Sequence, residues 1–185
     1  MLQAAAPTID LPLPRRRDYS AVVTIRIETT RDREVPDGDM QLLLTQAYVD
    51  GGFTAPDRAR EIFAPAAIRA RGDILCAWFT GLAEPAGMVI VVPSTSPARR
   101  FAGEVEAEMQ LLATASAFRR MGVGRALVLA AMDHARTAGS SRMLLWTQTS
   151  MHAAQRLYAS AGFVRVPGRD FSESGRRFLF FAADL

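Results

Sequence analysis

The sequence predicts an α/β fold, a sheet of about seven strands flanked by about four helices, and three observations carry that prediction. Short apolar, β-branched runs alternate with amphipathic stretches along most of the chain. One of those runs, ending at Ala113, breaks into a basic turn with Gly122 and Gly124 and then enters a long helix pattern. No repeat or composition shift divides the chain, and 185 residues at 49% hydrophobic can bury one substantial core.

Residues 1–20 carry Pro7, Pro12 and Pro14 and then Arg15-Arg16-Arg17. Proline repetition removes backbone donors and disfavours helix, so this stretch reads as an extended or disordered arm, either a solvated leader or an interaction tail. A single domain is expected over 21–185. Val23, Ile25 and Ile27 alternate with Thr24, Arg26 and Glu28, which suits a half-buried strand over 22–29. Two helices are expected at 39–49 and 57–70, with Asp39 and Asp57 as N-caps, and Pro65 kinking or splitting the second. Strands at 74–79 and 86–92 follow, then a proline-bearing loop at 94–100 and a strand at 106–113. Leu127, Ala130, Ala131, His134, Ala135 and Ala138 recur at helical spacing, and Gly139 stops that helix. A strand at 143–147, a helix at 153–160 and a strand pair at 163–166 and 177–182 complete the order.

The turn after the 106–113 strand is suited to an anion. Gly122 and Gly124 let backbone amides approach a ligand closely, and the helix beyond adds unpaired N–H groups and the positive end of its dipole. Arg119, Arg120 and Arg125 bring positive charge to the same place. A Walker loop would need a Gly-Lys-Ser/Thr run, which is missing, and a dinucleotide fingerprint would need glycine where Leu127 stands.

The spacing Arg119-x-x-Gly122-x-Gly124 resembles the coenzyme A pyrophosphate motif of the GNAT (GCN5-related) N-acetyltransferases. A second segment, Ala154-Gln155-Arg156-Leu157-Tyr158-Ala159-Ser160-Ala161-Gly162-Phe163, resembles that family's Ala-x-x-Leu-Tyr-x-x-x-Gly-Phe signature. The likeness spans approximately 22–183. It implies the acyl-CoA N-acyltransferase fold with a mixed central sheet. It also implies acetyl-CoA as cosubstrate, bound by Arg119, Arg120, Met121, Gly122, Val123, Gly124 and Arg125. Main-chain groups of Leu112, Ala113 and Thr114 are expected to hold the pantetheine and the developing oxyanion, as the family strand splays from its neighbour here. Two departures stand out: Met151 replaces the usual asparagine, with His152 either supplying that contact or simply exposed at a helix start. Arg120 and Ser116 replace a common glycine and proline.

Acetyl transfer from a thioester to an amine needs the amine deprotonated, the oxyanion stabilised and the leaving thiolate protonated. Tyr158 is the candidate acid, because a phenol with a pKa near about 10 stays protonated at neutral pH. Glu108 is the candidate base, acting through water, with Glu106 as the reserve on the same strand face. The acceptor is expected to be shaped by 48–56 and 168–177, where Asp50, Phe53 and Asp57 would attract a cationic amine.

Other chemistries are disfavoured. The net charge of +3 comes without Lys/Arg tracts interleaved with aromatics, so nucleic acid is not an expected partner. Cys76 is the single cysteine and sits in an apolar run, so it reads as structural rather than nucleophilic, and no metal site is expected. His134 reads as a packed core histidine. No membrane segment or secretory signal is apparent, which points to a cytoplasmic protein. The expected activity is acetyl transfer to a primary amine of a small molecule or peptide. The alternatives are a protein N-terminal or lysine acetyltransferase, and a non-catalytic acyl-CoA-binding module. A homodimer through the C-terminal strands, common among relatives, is a further expectation.

Overall fold

The computed structural model describes Thr8–Ile9 and residues 24–185. The rest of the expected arm at 1–20, and the start of the expected first strand, lie outside the described residues. One mixed sheet runs through the molecule in the order β1-β2-β3-β4-β5-β6-β9-β7, with β8 pairing β9. Its strands are β1 (Thr8–Ile9), β2 (Ile25–Thr29), β3 (Asp73–Phe79), β4 (Gly87–Val92), β5 (Glu106–Thr114), β6 (Arg142–Gln148), β7 (Val164–Arg165), β8 (Phe171–Glu173) and β9 (Arg176–Asp184). All pairings are antiparallel except β5 with β6.

Strand alternation sends β3 and β4 into two cores. Leu75, Ala77, Phe79, Val89 and Val91 meet Leu127 and Ala131 of helix α4 (Val123–Thr137) on one face. Ile74, Cys76, Trp78, Met88, Ile90 and Val92 pack with Met40, Leu43, Leu44 and Ile68 on the other. Those last residues come from α1 (Asp37–Leu44) and α3 (Pro65–Arg69); α2 (Pro56–Ile62) lies between them in the chain. Both faces of the middle strands are covered, which is why β4 reads as an unbroken apolar run.

Several expected boundaries move. The helix at 57–70 is two helices, because Pro65 opens a new first turn where its missing N–H costs nothing. Neither Asp39 nor Asp57 is an N-cap: each lies inside a first turn, where its charge still favours the helix dipole. The helix at 39–49 begins at Asp37 and passes into a π-helical turn at Thr45–Val49. The last strand runs longer than 177–182. An additional strand, β8, forms with it a hairpin whose two loop residues, Ser174 and Gly175, both have positive φ, as a type I′ turn requires. His134 is half-buried rather than packed in the core, with Nε2 2.9 Å from Asp73 Oδ2, and Arg31 pairs with the same carboxylate at 2.6 Å. Cys76 is fully buried, as expected.

Candidate active site

The site is built where β5 changes its pairing. Gln110 opposes Ile90 but Ala113 opposes Met88, so β5 carries one residue more than β4 between those points. Leu111 takes φ 51°, the left-handed conformation, to form this bulge. Bulges bend a strand, and β5 bends away from β6: their parallel pairing covers only Glu106 to Glu108. Beyond it the two strands splay, as the family resemblance implied.

The splay divides the expected main-chain donors. Ala115 N–H donates to Ala86 O at 2.9 Å, so strand alternation also turns the Ala113 N–H toward β4. The Thr114 N–H then faces the opening. Leu112 offers its carbonyl inward, where the Tyr48 hydroxyl donates to it at 3.0 Å. Of the three, Ala113 is therefore spent on the sheet.

The anion turn lies at the end of the same strand. A 3₁₀ turn at Ser116–Phe118 leads through Arg119 to Arg120, which holds φ 64°, and to Gly122 at φ 85°. The family's usual glycine, replaced here by Arg120, falls on a left-handed residue. Helix α4 follows with no side-chain cap; its first internal bond is Ala126 N–H to Gly122 O at 2.9 Å. The amides of Val123, Gly124 and Arg125 thus have no acceptor within the helix. A Cβ on Gly124 would stand 3.2 Å from Leu157 Cδ2 and 3.7 Å from Thr114 Oγ1, so the bare glycine lets α4, α5 (His152–Ser160) and β5 converge. Arg119, Arg120 and Arg125 are exposed beside it, and Arg119 also donates to the Gln46 carbonyl at 3.3 Å. Met121 packs against the core.

A cleft of about 510 Å³ opens on the other side of the splay. Tyr48, Gln110, Leu112, Trp146, Met151 and Tyr158 line it, together with the β8–β9 hairpin. Tyr158 is buried, its ring against Phe163 and Phe181, and its hydroxyl has no hydrogen-bond partner among the described residues. Burial pushes its phenol well above the ordinary tyrosine value. Tyr48 is raised as well, by burial first and then by its proximity to Tyr158.

Glu108 occupies a different place from that of a base facing an amine. It is fully buried and does not line the cleft. Its Oε1 accepts the N–H groups of Arg100 and Ala102, each at 2.8 Å, and of Phe101; its Oε2 accepts Gln110 Nε2 at 2.7 Å. Glu106 accepts the Gly103 N–H at 2.8 Å and lies 3.6 Å from Arg169, again outside the cleft. Of the acceptor segments, Tyr48, Thr54, Glu173, Ser174 and Arg176 reach the cleft, but Asp50, Phe53 and Asp57 do not line it. Asp57 pairs instead with Arg60 on the surface. His152 is exposed, and Met151 takes the hydroxyl of Thr147 on its sulfur at 3.2 Å. Arg58, Arg71 and Arg100 also line the cleft, and no local motif announced them, because they come from distant segments.

A splayed β5–β6 pair, a bulge and an uncapped Gly-x-Gly helix start lie together along one strand. The family model of the acetyltransferase (GNAT) family matches residues 39–163, and the chain belongs to that family. Solved structures agree on the fold. An IAA acetyltransferase from Bacillus cereus is 20% identical, with a TM-score of 0.62 over 87% of this chain and 99% of that one. A Bacillus subtilis acetyltransferase in complex with CoA is 24% identical, with a TM-score of 0.61 over 87% and 99%. A GNAT acetyltransferase from Elizabethkingia anophelis with acetyl-CoA bound is 18% identical, with a TM-score of 0.60 over 87% and 98%. No curated protein matches the chain by sequence.

Proposed function

We propose that this chain transfers the acetyl group of acetyl-CoA to the primary amine of a small molecule or peptide, by direct attack in a ternary complex. The observation that carries this reading is the continuity of anion turn, strand splay and cleft along β5. One strand leads from an amide-rich helix start to a buried phenol. Acetyl-CoA bound there supplies an activated thioester carbonyl and a thiolate leaving group.

The chain's own residues supply the rest. The amides of Val123, Gly124 and Arg125 and the charges of Arg119, Arg120 and Arg125 would hold the pyrophosphate. The Thr114 N–H is the donor available to the pantetheine arm. Tyr158 is the proton donor to the leaving sulfur: burial keeps its phenol protonated, and its hydroxyl is not committed to a protein acceptor. Glu108 is better suited to positioning than to proton abstraction. Its Oε1 already takes three N–H groups, and through them it sets the 100–102 loop that brings Arg100 to the cleft. The amine therefore loses its proton to solvent within the cleft.

The test is steady-state turnover of the purified protein over a panel of amines, with release of free thiol as the readout. Tyr158→Phe should lower kcat while leaving the affinity for acetyl-CoA within about twofold. Acetyl-CoA binding without turnover on any amine would favour a binding module over an enzyme.

A further inference from the structure

The cleft wall is positive. Among the described residues that line it, Arg58, Arg71, Arg100 and Arg176 are cations and Glu173 is the one acid. Two of the four cations pair with a carboxylate, and a third donates to a backbone carbonyl. Arg100 pairs with Glu173 at 3.1 Å, Arg58 with Glu61 at 3.3 Å, and Arg176 donates to the Phe53 carbonyl. Arg71, like Arg176, has no carboxylate partner among the described residues, and it alone of the four has a buried guanidinium nitrogen without a hydrogen-bond partner.

Arg71 is partly buried, and its contacts are neutral. Nη1 donates to Gln110 Oε1 at 2.8 Å and Nη2 to the Ile62 carbonyl at 3.3 Å, while Nε is buried with no partner. Gln110 is held in this orientation by Glu108, which takes its amide nitrogen and so turns its oxygen toward Arg71. The Glu108 carboxylate thus lies behind an amide and does not touch the guanidinium. Burial, and after it the charge of Arg100, work against the cationic form of Arg71. A guanidinium held partly desolvated and beside other cations is destabilised until an anion meets it. Its planar donor fork matches a carboxylate.

We propose that the acceptor amine also carries a carboxylate, and that this carboxylate seats against Arg71 in the cleft with Arg100 and Arg58 around it. The preferred acceptor class is then a free amino acid or a similar amino-carboxylate, with Trp146 and Phe178 offering apolar surface to its side chain. This rests on the acetyltransferase reading and adds the substrate class. It replaces the attraction of a cationic amine expected from Asp50 and Asp57.

The experiment uses three probes with one side chain: phenylalanine, phenylalanine amide and 2-phenylethylamine, each assayed for kcat/KM with acetyl-CoA. The amide has the most easily deprotonated amine, near about 7.7–8.0, so amine acidity alone would rank it first. Recognition of the carboxylate ranks the free acid first, by about tenfold or more, the scale of a charge-assisted hydrogen bond. In Arg71→Met that preference should collapse toward unity, and Arg71→Lys should restore part of it. Equal turnover of all three probes, or a preference for either probe lacking the carboxylate, overturns the carboxylate subsite. So does an Arg71→Met protein that keeps the wild-type ratio. The wild-type ranking needs no variant, so a misfolded substitution cannot mask the answer. Absence of acetyl-CoA binding in the same preparation would overturn the acetyltransferase reading itself, a failure separate from loss of the ranking.

Discussion

The Tyr48 hydroxyl donates to the carbonyl of Leu112 at 3.0 Å, tying the π-helical turn after α1 to the residue next to the β5 bulge. The β5–β6 pairing has ended before this carbonyl, and a partly buried acceptor without a donor is costly. Tyr48→Phe should therefore destabilise the fold by about 1–2 kcal/mol in denaturant unfolding. It should also lower kcat/KM, because β5 carries the cleft on one side and the anion turn at its end. An unchanged midpoint in urea would mean that the bond contributes nothing.

Glu108 can be tested against its two roles. A positioning carboxylate replaced by glutamine loses charge-assisted bonds to the 100–102 loop, so Glu108→Gln should cost about 1.5–3 kcal/mol of stability. A general base removed at the reacting amine would instead lower kcat by about 10²- to 10⁴-fold. Denaturation and turnover measured on one preparation separate the two. A large stability loss with a smaller kcat effect is the expected pattern.

Tyr48 and Tyr158 give the fold an alkaline limit. Both phenols are raised by burial, so in the folded state they keep their protons above the unfolded value of about 10. Below that pH both states keep the two phenol protons, and these tyrosines add no pH dependence to stability. Above it the unfolded chain binds fewer protons, and stability falls by up to about 1.4 kcal/mol per pH unit for each tyrosine. Unfolding free energies measured across this range should show the decline, shallower in Tyr48→Phe. Tyrosinate absorbance at pH 10 equivalent to more than one of the three tyrosines, without loss of structure, would contradict the burial of both rings.

Arg120 spends conformational energy in the anion turn. At φ 64° a non-glycine residue costs roughly 1–2 kcal/mol, so Arg120→Gly should stabilise the protein by about 1 kcal/mol in thermal unfolding. The same change removes one charge beside the α4 amides and should weaken acetyl-CoA binding severalfold. Higher stability with unchanged affinity would place Arg120 outside the phosphate site.

The central strands were legible because both faces of β3 and β4 are covered, leaving unbroken apolar runs, and the Gly-x-Gly turn because its chemistry is local. Strand β8 escaped notice because three residues carry no period, although Ser174-Gly175 is a two-residue hairpin signal. The π-helical turn at Thr45–Val49 has no sequence mark. The surroundings of Glu108 are not legible locally: a carboxylate in an apolar strand looks free to react, whereas here the 100–102 loop, six to eight residues earlier, folds back onto it. The arginines of the cleft come from α2, the α3–β3 turn, the loop before β5 and the start of β9. Only the tertiary fold brings them together.

Titration calorimetry of the purified protein with acetyl-CoA, then with free coenzyme A, bears most directly on the shared role of the turn and the splay. One-to-one binding in the micromolar range is expected. Replacing Gly124 with valine should weaken it at least tenfold, because a side chain there meets Leu157 and Thr114 where the strand and two helices converge. No heat with either ligand, or full affinity in Gly124→Val, would mean that this helix start does not hold the cofactor.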